Sequence, residues 1–91
     1  MKQCVTPYHF EVVEKRQKNR SAYTLLRLEG RDLLKYAVAV EDSVGHDLVL
    51  LSENREASIG FFDTVVEGEL SSIQLYEAAE DFFHALVLEN F

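Results

Sequence analysis

Glu77, Glu80, Asp81 and His84 stand at i, i+3, i+4 and i+7, the spacing that gathers side chains on one face of a helix. Carboxylate with imidazole is a donor set that a divalent cation accepts. One helix cannot close a coordination sphere, however, and an exposed helix ordinarily carries a charged outer face. No metal ligand is therefore assigned. Cys4 with His9 has the makings of a nucleophile and its base, but no third group is in view to orient them, and Cys4 lies close to the chain start. A free terminal thiol is the simpler reading.

The only basic cluster is Lys15, Arg16, Lys18 and Arg20, with Arg27, Arg31 and Lys35 further along. Such a cluster suits phosphate or an acidic protein surface. Its stacking aromatics are limited to Tyr23 and Tyr36. Residues 36–91 are net −11 against +4 for residues 1–35, which repels a polyanion running past the patch. Nucleic acid is thus disfavoured as a partner, and a charge-complementary protein contact is preferred.

Phe61, Phe62, Phe82 and Phe83 fall at helical spacing, and core packing is their ordinary role. Adjacent residues diverge by about 100° on a helix, so part of this surface, at Phe61 and Phe83, is expected outside, where exposed aromatics meet other proteins. The expected interaction surface is Lys15, Arg16, Lys18 and Arg20 together with Phe61 and Phe83. No glycine-rich phosphate loop, Gly-x-Ser-x-Gly elbow, His-Glu-x-x-His or paired-cysteine spacing occurs, so nothing calls for a catalytic residue or a cofactor.

The elements that must carry these residues follow from periodicity. Tyr8, Phe10 and Val12 alternate with His9, Glu11 and Val13; the polar run from Glu14 to Arg20 then interrupts, and Ala22–Leu28 resumes, as in a hairpin with a charged tip. Gly30 supplies the next turn. Leu34, Tyr36, Val38 and Val40 alternate with Lys35, Ala37, Ala39 and Glu41, and the large set is expected to face the core. Leu48–Leu51, uniformly apolar, reads as a strand buried on both faces or lying under a helix.

From Ser52 the period lengthens: Ile59, Phe62 and Val66 make a stripe broadened by Phe61 and Val65, with Ser52 or Asn54 to cap it and Gly68 to end it. Gly60 lowers the helix propensity or marks a close approach. Ser71 and Gln74 form a capping box flanked by Leu70 and Leu75. The helix it starts has Leu75, Ala79, Phe82 and Leu86 as its stripe, widened by Tyr76, Phe83 and Val87. The expectation is an α+β fold: a mostly antiparallel four-stranded meander within residues 7–52, then helices over 53–68 and 72–89 packed on one face. Residues 1–6 are expected to be loosely ordered.

Ninety-one residues leave room for one core, so 1–91 reads as a single domain, one that gains from covering more apolar area, including with a copy of itself. Apolar residues are 47% and charged residues 27% of the chain, ordinary for a globular protein. The longest uninterrupted apolar run, Tyr36–Val40, is far short of a membrane span. Met1–Pro7 lacks the features of a secretory signal, and a single cysteine excludes an internal disulfide; both fit a cytoplasmic setting.

Leu50-Leu51-Ser52 before a helix, then Ser71-Ser72-Ile73-Gln74-Leu75-Tyr76 and Glu80-Asp81-Phe82-Phe83, resemble the C-terminal half of a small family of unknown function from clostridial-type bacteria, over residues 33–83. Ser72 stands where proline is expected in that family. The resemblance implies a strand meander followed by two helices and a bacterial cytoplasmic setting, and it implies no activity. The functional expectation is a non-enzymatic interaction module that self-associates, as a homodimer or with another protein. A regulator holding nucleic acid or phosphate on residues 15–35 is the alternative, and a metal-dependent enzyme comes last.

Overall fold

A computed structural model describes residues 9–30 and 34–89, and the side chains of all but 86–89 among them. The chain order is β1 (His9–Lys18), β2 (Ser21–Glu29), β3 (Leu34–Glu41), β4 (His46–Leu50), α1 (Arg55–Glu67) and α2 (Leu75–Glu89). The strands form one antiparallel sheet in the order β1-β2-β3-β4, each paired with its neighbour in sequence. Both helices lie on the same side of it, α1 over β2 and β3 and α2 over β4. This is the α+β meander with two C-terminal helices that periodicity implied. The expected looseness of residues 1–6, the Tyr8 position, and Leu86 and Val87 of the second stripe lie outside what is described.

β1 runs straight through the polar segment Glu14–Lys18, so the loop is only Asn19 and Arg20 rather than a long charged tip. Asn19 takes φ 57°, as the first central position of a tight hairpin turn requires and as asparagine tolerates. The strand persists because of a bulge: Val12 pairs with Leu26 and Glu14 with Leu25, leaving Val13 as the extra residue. The bulge turns Val13 onto the core and reverses the alternation beyond it, so that Glu14, Arg16 and Lys18 face the helix layer.

The core is built from Tyr23 and Leu25, Tyr36, Val38 and Val40, and Val49 and Leu51, closed by the inner faces of α1 and α2. β3 therefore presents its large set to the helices as expected. Asn54, not Ser52, caps α1: its side chain accepts the N–H of Ala57 at 2.9 Å, while the Ser52 hydroxyl accepts that of Asn54 at 3.1 Å. α1 ends in a pair of closing bonds, Glu69 N–H to the Val66 carbonyl and Leu70 N–H to the Val65 carbonyl. The left-handed residue in that motif is Glu69, at φ 49°, whereas Gly68 stays right-handed at φ −81°. Glu69 is held there by its side chain, which accepts from Asn19 and pairs with Lys18 at 3.6 Å across the hairpin tip.

The capping box forms as its residue types imply, the Ser71 N–H donating to Gln74 Oε1 at 3.0 Å. Residues 72–74 are a tight turn, and regular helix begins at Leu75. Asp42 binds this start to the sheet: its carboxylate accepts from the Ser72 backbone N–H at 2.8 Å and the Ser72 hydroxyl at 3.1 Å, and from the N–H groups of Val44 and Gly45 in the β3–β4 turn. Ser72 thus uses a backbone N–H that proline at this position would lack.

Candidate functional site

The expected interaction residues do not form one surface. Phe61 is 7% exposed and belongs to the core, next to the fully buried Phe62. Both members of this adjacent pair find cover because α1 has two neighbours, the sheet on one side and α2 on the other, where the Phe82 ring lies 5.1 Å from that of Phe61. Phe61 is therefore removed from the exposed set. Phe83 is 39% exposed and packs edge-on against Phe82 at 5.5 Å. With Tyr76 it borders a hollow of about 280 Å³ beside β4.

The four cations are split. Arg16 donates to Glu14 at 2.6 Å and to Asp63 of α1 at 2.9 Å, and its guanidinium sits 5.3 Å from the centre of the Phe62 ring. The Glu14 hydrogen bond, aided by the charges of Glu14 and Asp63, raises its proton affinity above the ordinary value. Arg16 fastens an edge strand to a helix. Lys18 pairs with Glu69. Lys15 lies on the opposite side of the sheet and Arg20 at the tip.

Arg27 and Lys35 sit toward the far end of the strands. Arg27 is held by Glu29 at 3.1 Å and Glu11 at 3.6 Å; the Glu29 charge, then the Tyr36 hydroxyl, raises its proton affinity. Arg31 and Cys4 lie outside the described residues. Glu77, Glu80, Asp81 and His84 are exposed on α2. Among the described residues, no three His, Cys, Asp or Glu side chains converge where a cation could be held.

The unusual surface is the side of the sheet that, among the described residues, no helix covers. Strand alternation and pairing lay it out in cross-strand rows. Phe10, Leu28 and Lys35 make the first row; Val12, Leu26, Ala37 and Leu50 the second. Lys15, Thr24, Ala39 and Leu48 make the third; Gln17, Ala22, Glu41 and His46 the last. The second row is wholly apolar across all four strands. On the outer strands Phe10 is 57% exposed, Val12 55%, Leu48 45% and Leu50 46%, while Leu28 and Ala37 between them are buried. β4 is therefore not buried on both faces: Val49 and Leu51 go under α2 while Leu48 and Leu50 point to the bare side.

Small residues hollow out this side. Ala22, Thr24 and Ala39 floor a shallow depression of about 370 Å³ bordered by Lys15, Glu41, His46 and Leu48. The Lys, Arg, Asp and Glu residues of the face are Lys15, Lys35 and Glu41, a formal +1 on a chain of −7. One signal for the face was present in the sequence, the small alternate set of β3. The other, Phe10 and Val12 pointing away from the core, depends on the bulge at Val13, which alternation alone does not disclose.

Fold and face together define a class, a helix-backed antiparallel meander with one side of its sheet bare. No family model, curated protein or solved structure matches the chain. No helix among the described residues is long and apolar enough to cross a membrane.

Proposed function

We propose that this chain is a protein-interaction module without chemistry of its own, binding another protein chain through the bare side of its sheet. The observation that carries the reading is the wholly apolar row Val12, Leu26, Ala37 and Leu50, whose outer members Val12 and Leu50 are about half-exposed, bordered at the strand ends by Lys35 and by Gln17, Glu41 and His46. An exposed apolar patch with a polar rim is the form that protein contacts take. The resemblance noted from the sequence brings no activity, so the reading rests on this face.

The test compares the full chain with its Val12→Lys/Leu50→Lys variant, both tagged, cross-linked mildly in cells and analysed by native mass spectrometry. The wild type is expected to carry a bound protein chain, a second copy included, and the variant none, with circular dichroism showing an unchanged fold. Equal recovery from both, or none from the wild type, overturns the reading.

A further inference from the structure

We infer that the occupant of the bare sheet face is a second copy of this chain, stacked face to face about a two-fold axis that lies between the sheets and crosses the strands at right angles. The inference rests on the interaction reading above and names its partner. Such an axis reverses the strand direction, so the first cross-strand row of one copy lies over the last row of the other, and the second over the third.

The face is complementary to itself under this operation. Glu41 meets the other copy's Lys35, and Leu48 meets its Leu50. The small residues at 37 and 39 lie over one another, which lets the sheets approach, and Thr24 lies opposite the other copy's half-buried Leu26. Leu26 thus faces the other copy's 370 Å³ depression. The crossing axis leaves only Lys15, on the outer strand over the other copy's Val12, without an opposite charge. The axis parallel to the strands instead sets Lys35 on Leu28, Glu41 on Ala22 and Lys15 on Leu48, leaving all three without partners. Charge therefore selects the crossing axis.

The charge distribution over the whole molecule favours the same partner. Two chains of −7 repel, but the stack joins them through the surface that is net +1. It leaves the carboxylates of α1 and α2 on the outside, in layers separated by about 30 Å at ~10 Å per packed layer, several screening lengths in physiological salt. Four strands at ~4.8 Å by about eight residues at ~3.3 Å give a footprint of ~500 Å² per copy, or ~1,000 Å² in all. That is the lower limit for a specific interface, so the dimer is expected to dissociate in the micromolar range.

Sedimentation velocity on the full chain, from about 1 µM to about 1 mM, tests this. The wild type is expected to pass from monomer to dimer. Lys35→Glu and Glu41→Lys each set like charges against each other in both symmetric pairs and weaken association about tenfold, and the double substitution restores it. Glu41→Lys is the discriminating variant, because it brings the net charge from −7 to −5 and would strengthen any dimer governed by overall repulsion alone. A monomer throughout the range, or a dimer indifferent to Val12→Lys/Leu50→Lys, overturns the inference. If the wild type is monomeric yet a different protein is captured on this face and lost in that variant, the interaction reading stands and only the second copy falls.

Discussion

At the scale of single residues the fold depends on side chains that a search for chemistry passes over. Asp42 accepts four hydrogen bonds, from Ser72 backbone and hydroxyl and from the backbone of Val44 and Gly45. The Ser72 backbone bond foremost, with the others, holds its carboxyl below the usual carboxylate value of 3.8. A depressed folded value means that Asp42 contributes stability in full above the unfolded value, and loses it as pH falls through the folded one. Asp42→Asn is therefore expected to lower the urea midpoint at pH 7 with unchanged slope. The gap to wild type should close as the pH falls through the depressed folded value of Asp42, below which both side chains are neutral. Urea titrations of both proteins from neutral to acid pH check this; a gap that stays constant would mean that only the shape of the side chain matters, not its charge. Ser72→Pro acts on the same joint by removing the N–H that Asp42 receives.

At the scale of elements, Gly60 carries the most direct expectation. It lies in the interior of α1 on the exposed side, and a Cβ placed on it meets nothing within 4 Å, so it marks no close approach. Gly60→Ala is expected to stabilise the fold by about 1 kcal/mol, from helix propensity and the reduced freedom of the unfolded chain. A thermal midpoint raised by several degrees, with the same α-helical content, checks it.

The periods of two and 3.6 disclosed four strands, two helices, their order and the capping box, because these patterns record which residues must be apolar along each element. What they did not record is where a backbone irregularity shifts the phase. One extra residue at Val13 exchanges the two sides of β1, making Arg16 a clamp to Asp63 and Phe62 instead of part of an open basic patch. Likewise the apolar run Leu48–Leu51 reads the same whether one or both of its sides are covered; only the position of β4 at a sheet edge, with α2 on one side alone, decides that Leu48 and Leu50 are bare. The end of α1 shows the same limit: Gly68 was the natural left-handed residue, yet Glu69 takes that conformation because its carboxylate reaches Asn19 and Lys18 on a distant hairpin.

For the molecule as a whole, size and shape point to one thermodynamic signature. A chain of 91 residues buries only about 60–65% of the surface its unfolded form exposes, and here Phe10, Val12, Leu48 and Leu50 on one side of the sheet stay about half-exposed. Covering that side in a dimer adds stability that depends on protein concentration, because only the folded chain associates. The thermal midpoint of the wild type is accordingly expected to rise with concentration across the micromolar to millimolar range. That of Val12→Lys/Leu50→Lys should stay level, since those side chains are already half-exposed in a single copy and their replacement removes little from its core. The two proteins should then melt together when dilute and part when concentrated. Scanning calorimetry at three concentrations measures this. Curves that part equally at every concentration would assign Val12 and Leu50 to the stability of the single chain, and curves that never part would leave the bare face to a partner other than a second copy.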